Sequence, residues 1–230
     1  MLGLRSLQAC RSDPSPAIPA EAEQMFFLPG THKQHGLTYS PLKALISPRP
    51  IGWISSLSSD GVANLSPYSF FNAIAELPPM VMFISAPDMR EANKGGQKDS
   101  LANIFDTREF GVNIVGSEQA DQMVKSSQDV TAETDEFDHT GLGKKKAEQI
   151  SVPLVAGAPA HLECVYYDHI TLPDNGRGQN SVMVMGTIVG IHIDEAVIVD
   201  GRVDVSRYTP VARLGYKDYA AVRDVFEMSP

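Results

Sequence analysis

Ser47-Pro48-Arg49-Pro50-Ile51-Gly52-Trp53-Ile54-Ser55-Ser56 and, a few residues on, Asn64-Leu65-Ser66-Pro67-Tyr68-Ser69-Phe70-Phe71-Asn72 are two extended runs separated by Ser58-Ser59-Asp60-Gly61. Aromatic and β-branched residues suit a pleated, half-buried surface, and Asp-Gly between two such runs is a turn signal. The pair predicts a β-hairpin. At its far end, hydroxyls and a carboxamide sit beside two rings. A sheet surface of this make suits a flat, partly polar aromatic ligand, stacked on rings while its edge atoms bond Ser and Asn. The plainer reading is a hairpin whose rings are core and whose serines are exposed. On this segment alone both stand.

Strand character recurs at 51–57, 62–65, 80–86, 109–115, 162–170 and 181–193. The last is long for one strand, and Gly186 and Gly190 within it predict bends or bulges, as where a strand wraps round a closing barrel. Asp99-Ser100 ahead of Leu101-Ala102-Asn103-Ile104-Phe105 reads as a capped short helix, and 118–128 as a second. Residues 129–159 are polar and strand-poor, which predicts a long surface excursion, touching a partner subunit or serving as a lid. Lys144-Lys145-Lys146 within it reads as a solvated turn. Strands at both ends with irregularly placed helices argue against a doubly wound βαβ sheet. They predict a mainly β fold: an antiparallel barrel with a few peripheral helices, in one domain over 38–230.

Composition narrows the function classes. The 230 residues are 43% hydrophobic and 20% charged, ordinary for a globular protein, and no apolar run reaches the length of a membrane helix. The net charge of −9 argues against nucleic acid or an anionic membrane as the main partner, while leaving room for a local phosphate site. Cys10 and Cys164 form no CxxC pair, and the six histidines, His32-x-x-His35 included, show no metal-ligand spacing. Cys164, in Leu162-Glu163-Cys164-Val165-Tyr166-Tyr167, reads as a small buried hydrophobe. Residues 1–37 read as a flexible extension with Pro14, Pro16 and Pro19. Its Leu7-Gln8-Ala9-Cys10 lacks the apolar run that export requires, so cytoplasm is the expected location.

A second chemical signal is Lys98-Asp99-Ser100-Leu101-Ala102-Asn103-Ile104, just after Lys94-Gly95-Gly96-Gln97. A helix starting here offers unpaired N–H groups, the positive end of its dipole, a Lys ammonium and a Ser hydroxyl: a small anion site. The alternative is an ordinary cap with a surface lysine. Taken together, a ring-binding surface and an anion hole match the two ends of flavin mononucleotide. There is no G-x-G-x-x-G after a strand and no P-loop, so a nicotinamide donor would dock without a dinucleotide domain of its own. G-x-S-x-G and H-E-x-x-H are also absent.

Pro48-Arg49-Pro50-Ile51-Gly52-Trp53-Ile54-Ser55-Ser56, Asn64-Leu65-Ser66-Pro67-Tyr68-Ser69-Phe70-Phe71, Lys98-Asp99-Ser100-Leu101-Ala102-Asn103-Ile104 and Glu109-Phe110-Gly111-Val112-Asn113 resemble, in order and spacing, the flavin reductase-like, FMN-binding split-barrel family. The resemblance continues through Ala158-Pro159-Ala160-His161-Leu162-Glu163-Cys164 and ends near Arg213-Leu214-Gly215, covering about 38–219. It implies a split β-barrel that forms a homodimer, with FMN at or near the subunit interface. By position, Ser55, Ser56, Asn64 and Ser66 would meet the flavin edge or ribityl chain. Ser69, Phe70 and Phe71 would line the ring, and Lys98, Ser100 and Asn103 would hold the phosphate side. Trp53 and Arg49 belong to the same motif, Trp53 being equally a core candidate. The chain departs from the family in carrying Ser100 where Thr is common, and Tyr216 where a second Gly often follows Arg-Leu-Gly. The implied activity is an NAD(P)H-dependent FMN reductase using NADH or NADPH, with no catalytic side chain, passing electrons to a monooxygenase or another acceptor. The alternative is a non-catalytic module that stores or senses FMN. A barrel that binds no flavin is a third.

Overall fold

The computed structural model describes residues 23–90 and 96–228. The Pro-rich opening with Cys10, and Lys94-Gly95 ahead of the second helix, lie outside the described residues. Two units are present, one ending at Ser40 and the other running from Pro41. In the first, His32–His35 form one 3-10 turn, and the Phe27 and His35 rings stack 5.5 Å apart.

The second unit contains helices α1 (Leu42–Leu45), α2 (Asp99–Thr107), α3 (Ala120–Lys125) and α4 (Glu136–Thr140). Its main strands are β1 (Arg49–Pro50), β2 (Gly52–Leu57), β3 (Ala63–Tyr68), β4 (Phe71–Glu76), β5 (Pro79–Ser85) and β6 (Glu109–Asn113). After the short β7 (Lys144–Lys145) and β8 (Leu154–Val155) come the long β9 (Ala160–Thr171) and β10 (Val182–Ile193). The chain closes with β11 (Ile198–Val199), β12 (Arg202–Val203), β13 (Val211–Arg213) and β14 (Tyr219–Ala221).

The large sheet is antiparallel throughout and runs β3-β2-β6-β9-β10-β5-β4. Its two edge strands, β3 and β4, are linked only by Ser69 and Phe70, so the sheet must curl until its edges approach. The Tyr68 ring of β3 and the Phe83 ring of β5 accordingly lie 4.7 Å apart across the seam. Inside pack Ile54, Phe83, Phe110, Val112, Cys164 and Val184, with Leu101 and Ile104 of α2. This is the mainly β, antiparallel barrel that the strand pattern predicted.

The β2–β3 hairpin pairs Gly52 with Tyr68 through Leu57 with Ala63, and Gly61 takes φ +84° in its turn. Side chains alternate along a strand, so Ile54 and Ser56 share one face with Asn64, Ser66 and Tyr68. Trp53, Ser55 and Leu57 share the opposite face with Leu65 and Pro67. Both faces are covered: the first by the barrel core and α2, the second by Met123, Phe137 and Val155.

The β9–β10 ladder shifts register beside both Gly186 and Gly190, as expected of them. A Cβ on Gly186 would lie 2.4 Å from Cζ of the buried Phe110 ring. Gly186→Ala should therefore lower stability by about 1–3 kcal/mol through overpacking. Thermal unfolding reads this; an unchanged midpoint would contradict the packing.

Two expectations need correction. Residues 129–159 are not a surface excursion: Phe137, Ala147, Ile150, Val152, Leu154 and Val155 are all buried. Polar residues fill the spacing between these anchors, so no period shows in the sequence. The expected cap of α2 is also absent. Its N-cap is Lys98, with no side-chain cap bond, because Ser100 and Asp99 bond elsewhere. Strand β4 was not anticipated; much of it is exposed, and Asn72, Ala73 and Ala75 carry little strand preference. Cys164 is buried as expected, and burial pushes its thiol well above the ordinary range, which makes it inert.

Candidate functional site

The edge strand β3 carries the site. Pro67 cannot donate to a ladder and is tolerated because its outer side has no partner strand. The Leu65 N–H is taken instead by the Glu136 carboxylate from α4.

On the α2-facing side of β3 lies a buried polar network. Asn64 is its hub. The hydroxyls of Ser100 (2.7 Å) and Ser56 (3.3 Å) donate to its Oδ1. Its Nδ2 donates to Glu136. The Tyr68 phenol donates to Ser100 Oγ at 2.9 Å, and Asn103 Nδ2 donates to Ser56 Oγ at 3.2 Å. Burial raises the Tyr68 pKa, so this phenol stays a donor. Such a network fixes each rotamer and orients the strand against the helix.

This network floors a notch lined by Asn64, Ser66, Arg90, Lys98, Ser100 and Glu136, among others. Arg90 is clamped there by Asp88 and Asp99, and donates to the Val130 carbonyl at 2.7 Å. These carboxylates hold it ionised and largely neutralise its field. Among the described residues Lys98 makes no ion pair, so it is the notch's available cation. The first bonds within α2 run from the Leu101 and Ala102 N–H groups to the Lys98 carbonyl, leaving the Asp99 and Ser100 amides outside the helix's own bonding.

Beyond Ser127, which lines both spaces, the notch adjoins a shelf of Ile51, Pro67, Ser69, Met123, Arg213 and Tyr219. One half of the cleft is thus polar with Lys98 at its edge, and the other combines Ile51, Pro67 and Met123 with the polar groups of Ser69, Arg213 and Tyr219.

Of the residues singled out from sequence, Ser56, Asn64, Ser66, Lys98, Ser100 and Asn103 gather around the notch and Ser69 reaches the shelf. The other four do not. Trp53 is 0% exposed, and its Nε1 donates to Ser126 Oγ at 2.9 Å, so it stands behind the notch and supports it. Ser55 is buried on the same face and accepts from Asn113 Nδ2 at 3.3 Å. Phe71 packs over Gly52 and the barrel core. Phe70 is 38% exposed, with Lys43 and Arg49 each 5.8 Å from its centroid. Sequence reasoning missed Glu136, Arg90 and Met123, none of which sits in a recognisable motif. It also passed over Tyr219, although Arg213-Leu214-Gly215 pointed to that neighbourhood.

Glu136 is 6% exposed, and burial pushes its carboxyl up to about 7, against the pull of the Leu65 N–H. Between the ordinary value near 4.5 and about 7, the folded chain holds a proton that the unfolded chain has lost. Stability from this group therefore falls as pH rises through that window. Glu136→Gln keeps an acceptor for Leu65 and removes the titration. It should flatten the loss between pH 5 and 8 by an amount of order 1–3 kcal/mol, read by denaturant unfolding at both pH values. Identical pH profiles for variant and parent would contradict the assignment.

The flavin reductase like domain matches residues 45–206. The crystal structure of nitrilotriacetate monooxygenase component B from Bacillus cereus superposes with a TM-score of 0.80 at 26% identity, covering 90% of this chain and 100% of that one. For the 2-nitrobenzoate 2-nitroreductase NbaA of Pseudomonas fluorescens the TM-score is 0.71 at 30% identity, over 85% of this chain and 93% of that one. A Shewanella frigidimarina protein described as having a split barrel domain gives 0.70 at 22%, over 82% and 89%. The chain belongs to the flavin reductase-like family. Its fold is the split barrel and its activity is of the flavin-associated oxidoreductase type, as the sequence motifs implied.

Proposed function

We propose that this chain is an NAD(P)H-dependent FMN reductase that takes hydride from a nicotinamide and passes electrons to a separate acceptor, such as a monooxygenase component. The observation that carries this reading is the two-part cleft, in which a notch with one available cation meets a shelf carrying Ile51, Pro67 and Met123 at Ser127. The donor set fits FMN. Lys98 and the first amides of α2 suit a phosphate. Asn64, Ser56, Ser66 and Asn103 suit hydroxyls of a polyol, and Ile51, Pro67 and Met123 suit a ring. Bound FMN would supply the electron-accepting chemistry. The protein's residues would bind and orient it, and no side chain is needed as a catalytic base.

A homodimer belongs to this reading. It is supported by Tyr167, Ile170, Val189 and Ile191, apolar residues exposed on the long strands β9 and β10. The reading is tested by adding NADH or NADPH to protein reconstituted with FMN and following nicotinamide oxidation. Turnover with either donor supports it. Bound flavin without turnover would point to a storage or sensing module instead.

A further inference from the structure

The shelf has an electrostatic feature that the flavin site as described does not use. Arg49 on β1 and Arg213 on β13 are direct cross-strand partners, so both side chains leave the same face. Arg49 is 6% exposed and spends its donors on backbone carbonyls of Lys43, Ile46 and Leu214, while its Nε finds no partner. Arg213 lies in front of it on the shelf. Its guanidinium donates to the Tyr219 hydroxyl and, at 2.6 Å, to the Tyr216 carbonyl, and it stands 4.4 Å from the Tyr219 ring centroid. No carboxylate pairs with either arginine among the described residues. The two cations repel, and burial together with Arg213 lowers the Arg49 pKa.

The backbone is strained to hold this arrangement. Tyr216 sits at φ +55°, a left-handed conformation that favours glycine, and its carbonyl is the one that Arg213 grips. Two neighbouring guanidinium groups without a counter-ion, one fixed at the shelf by a strained loop, call for a ligand that carries negative charge there. Neutral oxidised flavin does not. The ring would gain a single negative charge on taking up one hydride, that is, two electrons and one proton.

We propose that Arg213, backed by Arg49 and held by the Tyr216 carbonyl and Tyr219, is the group that makes the shelf bind the reduced, anionic flavin more tightly than the oxidised form. This rests on the FMN reading above. Arg213 thereby tunes the potential of the bound cofactor, separately from the grip that Lys98 has on the phosphate.

The test is the midpoint potential of bound FMN in the parent, Arg213→Gln and Arg213→Lys, measured by dye equilibration. The oxidised-state dissociation constant is measured alongside, from quenching of Trp53, the chain's one tryptophan. Arg213→Gln should lower the preference for the reduced form at least tenfold, which for a two-electron couple is a fall of about 30 mV. Its oxidised affinity should stay within about threefold, and Arg213→Lys, which keeps the charge, should restore most of the potential. A Gln variant that binds FMN at an unchanged potential would overturn the inference and leave the flavin reading intact. A parent chain that binds no FMN would overturn both. Loss of binding in both variants while the parent binds would make Arg213 a general contact, and would equally refute the proposed selectivity.

Discussion

Replacing Lys98 by alanine is expected to raise the dissociation constant for FMN about ten- to a hundredfold, from the loss of a charge-assisted bond of about 1.5–3 kcal/mol. The size follows from the local charge balance. Arg90 is committed to Asp88 and Asp99, and Glu136 adds negative charge once it ionises. Lys98 is then the cation left to meet a phosphate, alongside the first amides of α2. The effect should shrink at high salt, because a lysine at a partly open notch is screened. Ser100→Ala should act differently. It removes the link between Tyr68 and Asn64, so it loosens the seat without removing a charge. Equilibrium titration distinguishes the two, and an unchanged constant in Lys98→Ala would place the phosphate elsewhere.

Glu163→Ala should destabilise the fold by about 3–5 kcal/mol, which at this chain length is a fall in melting temperature of about 6–20 °C. Glu163, on β9, is fully buried and accepts from the N–H groups of Glu148 (2.8 Å), Gln149 (2.6 Å) and Ile150 (3.1 Å). His192 on β10 pairs with it as well. Truncation leaves three amides and an imidazole without an acceptor in the interior. Burial alone would raise the Glu163 pKa, but these donors outweigh it and hold the carboxyl below its ordinary value. Its stabilisation is therefore present above about pH 4.5 and lost as pH falls through the lower folded value. A melting temperature within 2 °C of the parent would contradict this role.

How much of this was legible in the chain depends on the range of the interaction. The β2–β3 hairpin, its turn at Gly61 and the bulges at Gly186 and Gly190 are local, and the sequence pattern predicted them. Period two also separates Trp53 and Ser55 from Ile54 and Ser56, but both faces of β2 are buried, so nothing in the pattern says which of these side chains reach the cleft. Ser55 stood beside Ser56 only through the family resemblance, which carries positions over without saying which strand face they occupy. Glu136 was invisible for another reason: its partners, Asn64 and Leu65, lie about seventy residues away on another element. The same distance problem hides the shelf, where Arg213 and Tyr219 reach Ile51 and Pro67 only through the pairing of β1 with β13 and β13 with β14.

Whether one cleft serves one nucleotide is tested most directly by a structure of the chain crystallised with FMN. The prediction is a phosphate against Lys98 and the start of α2, with the ring on the shelf between Ser69 and Tyr219. FMN lodged instead in a second cavity, lined by Ser117, Gln119, Arg207, Tyr208 and Thr209, or bound with its phosphate away from Lys98, would contradict it.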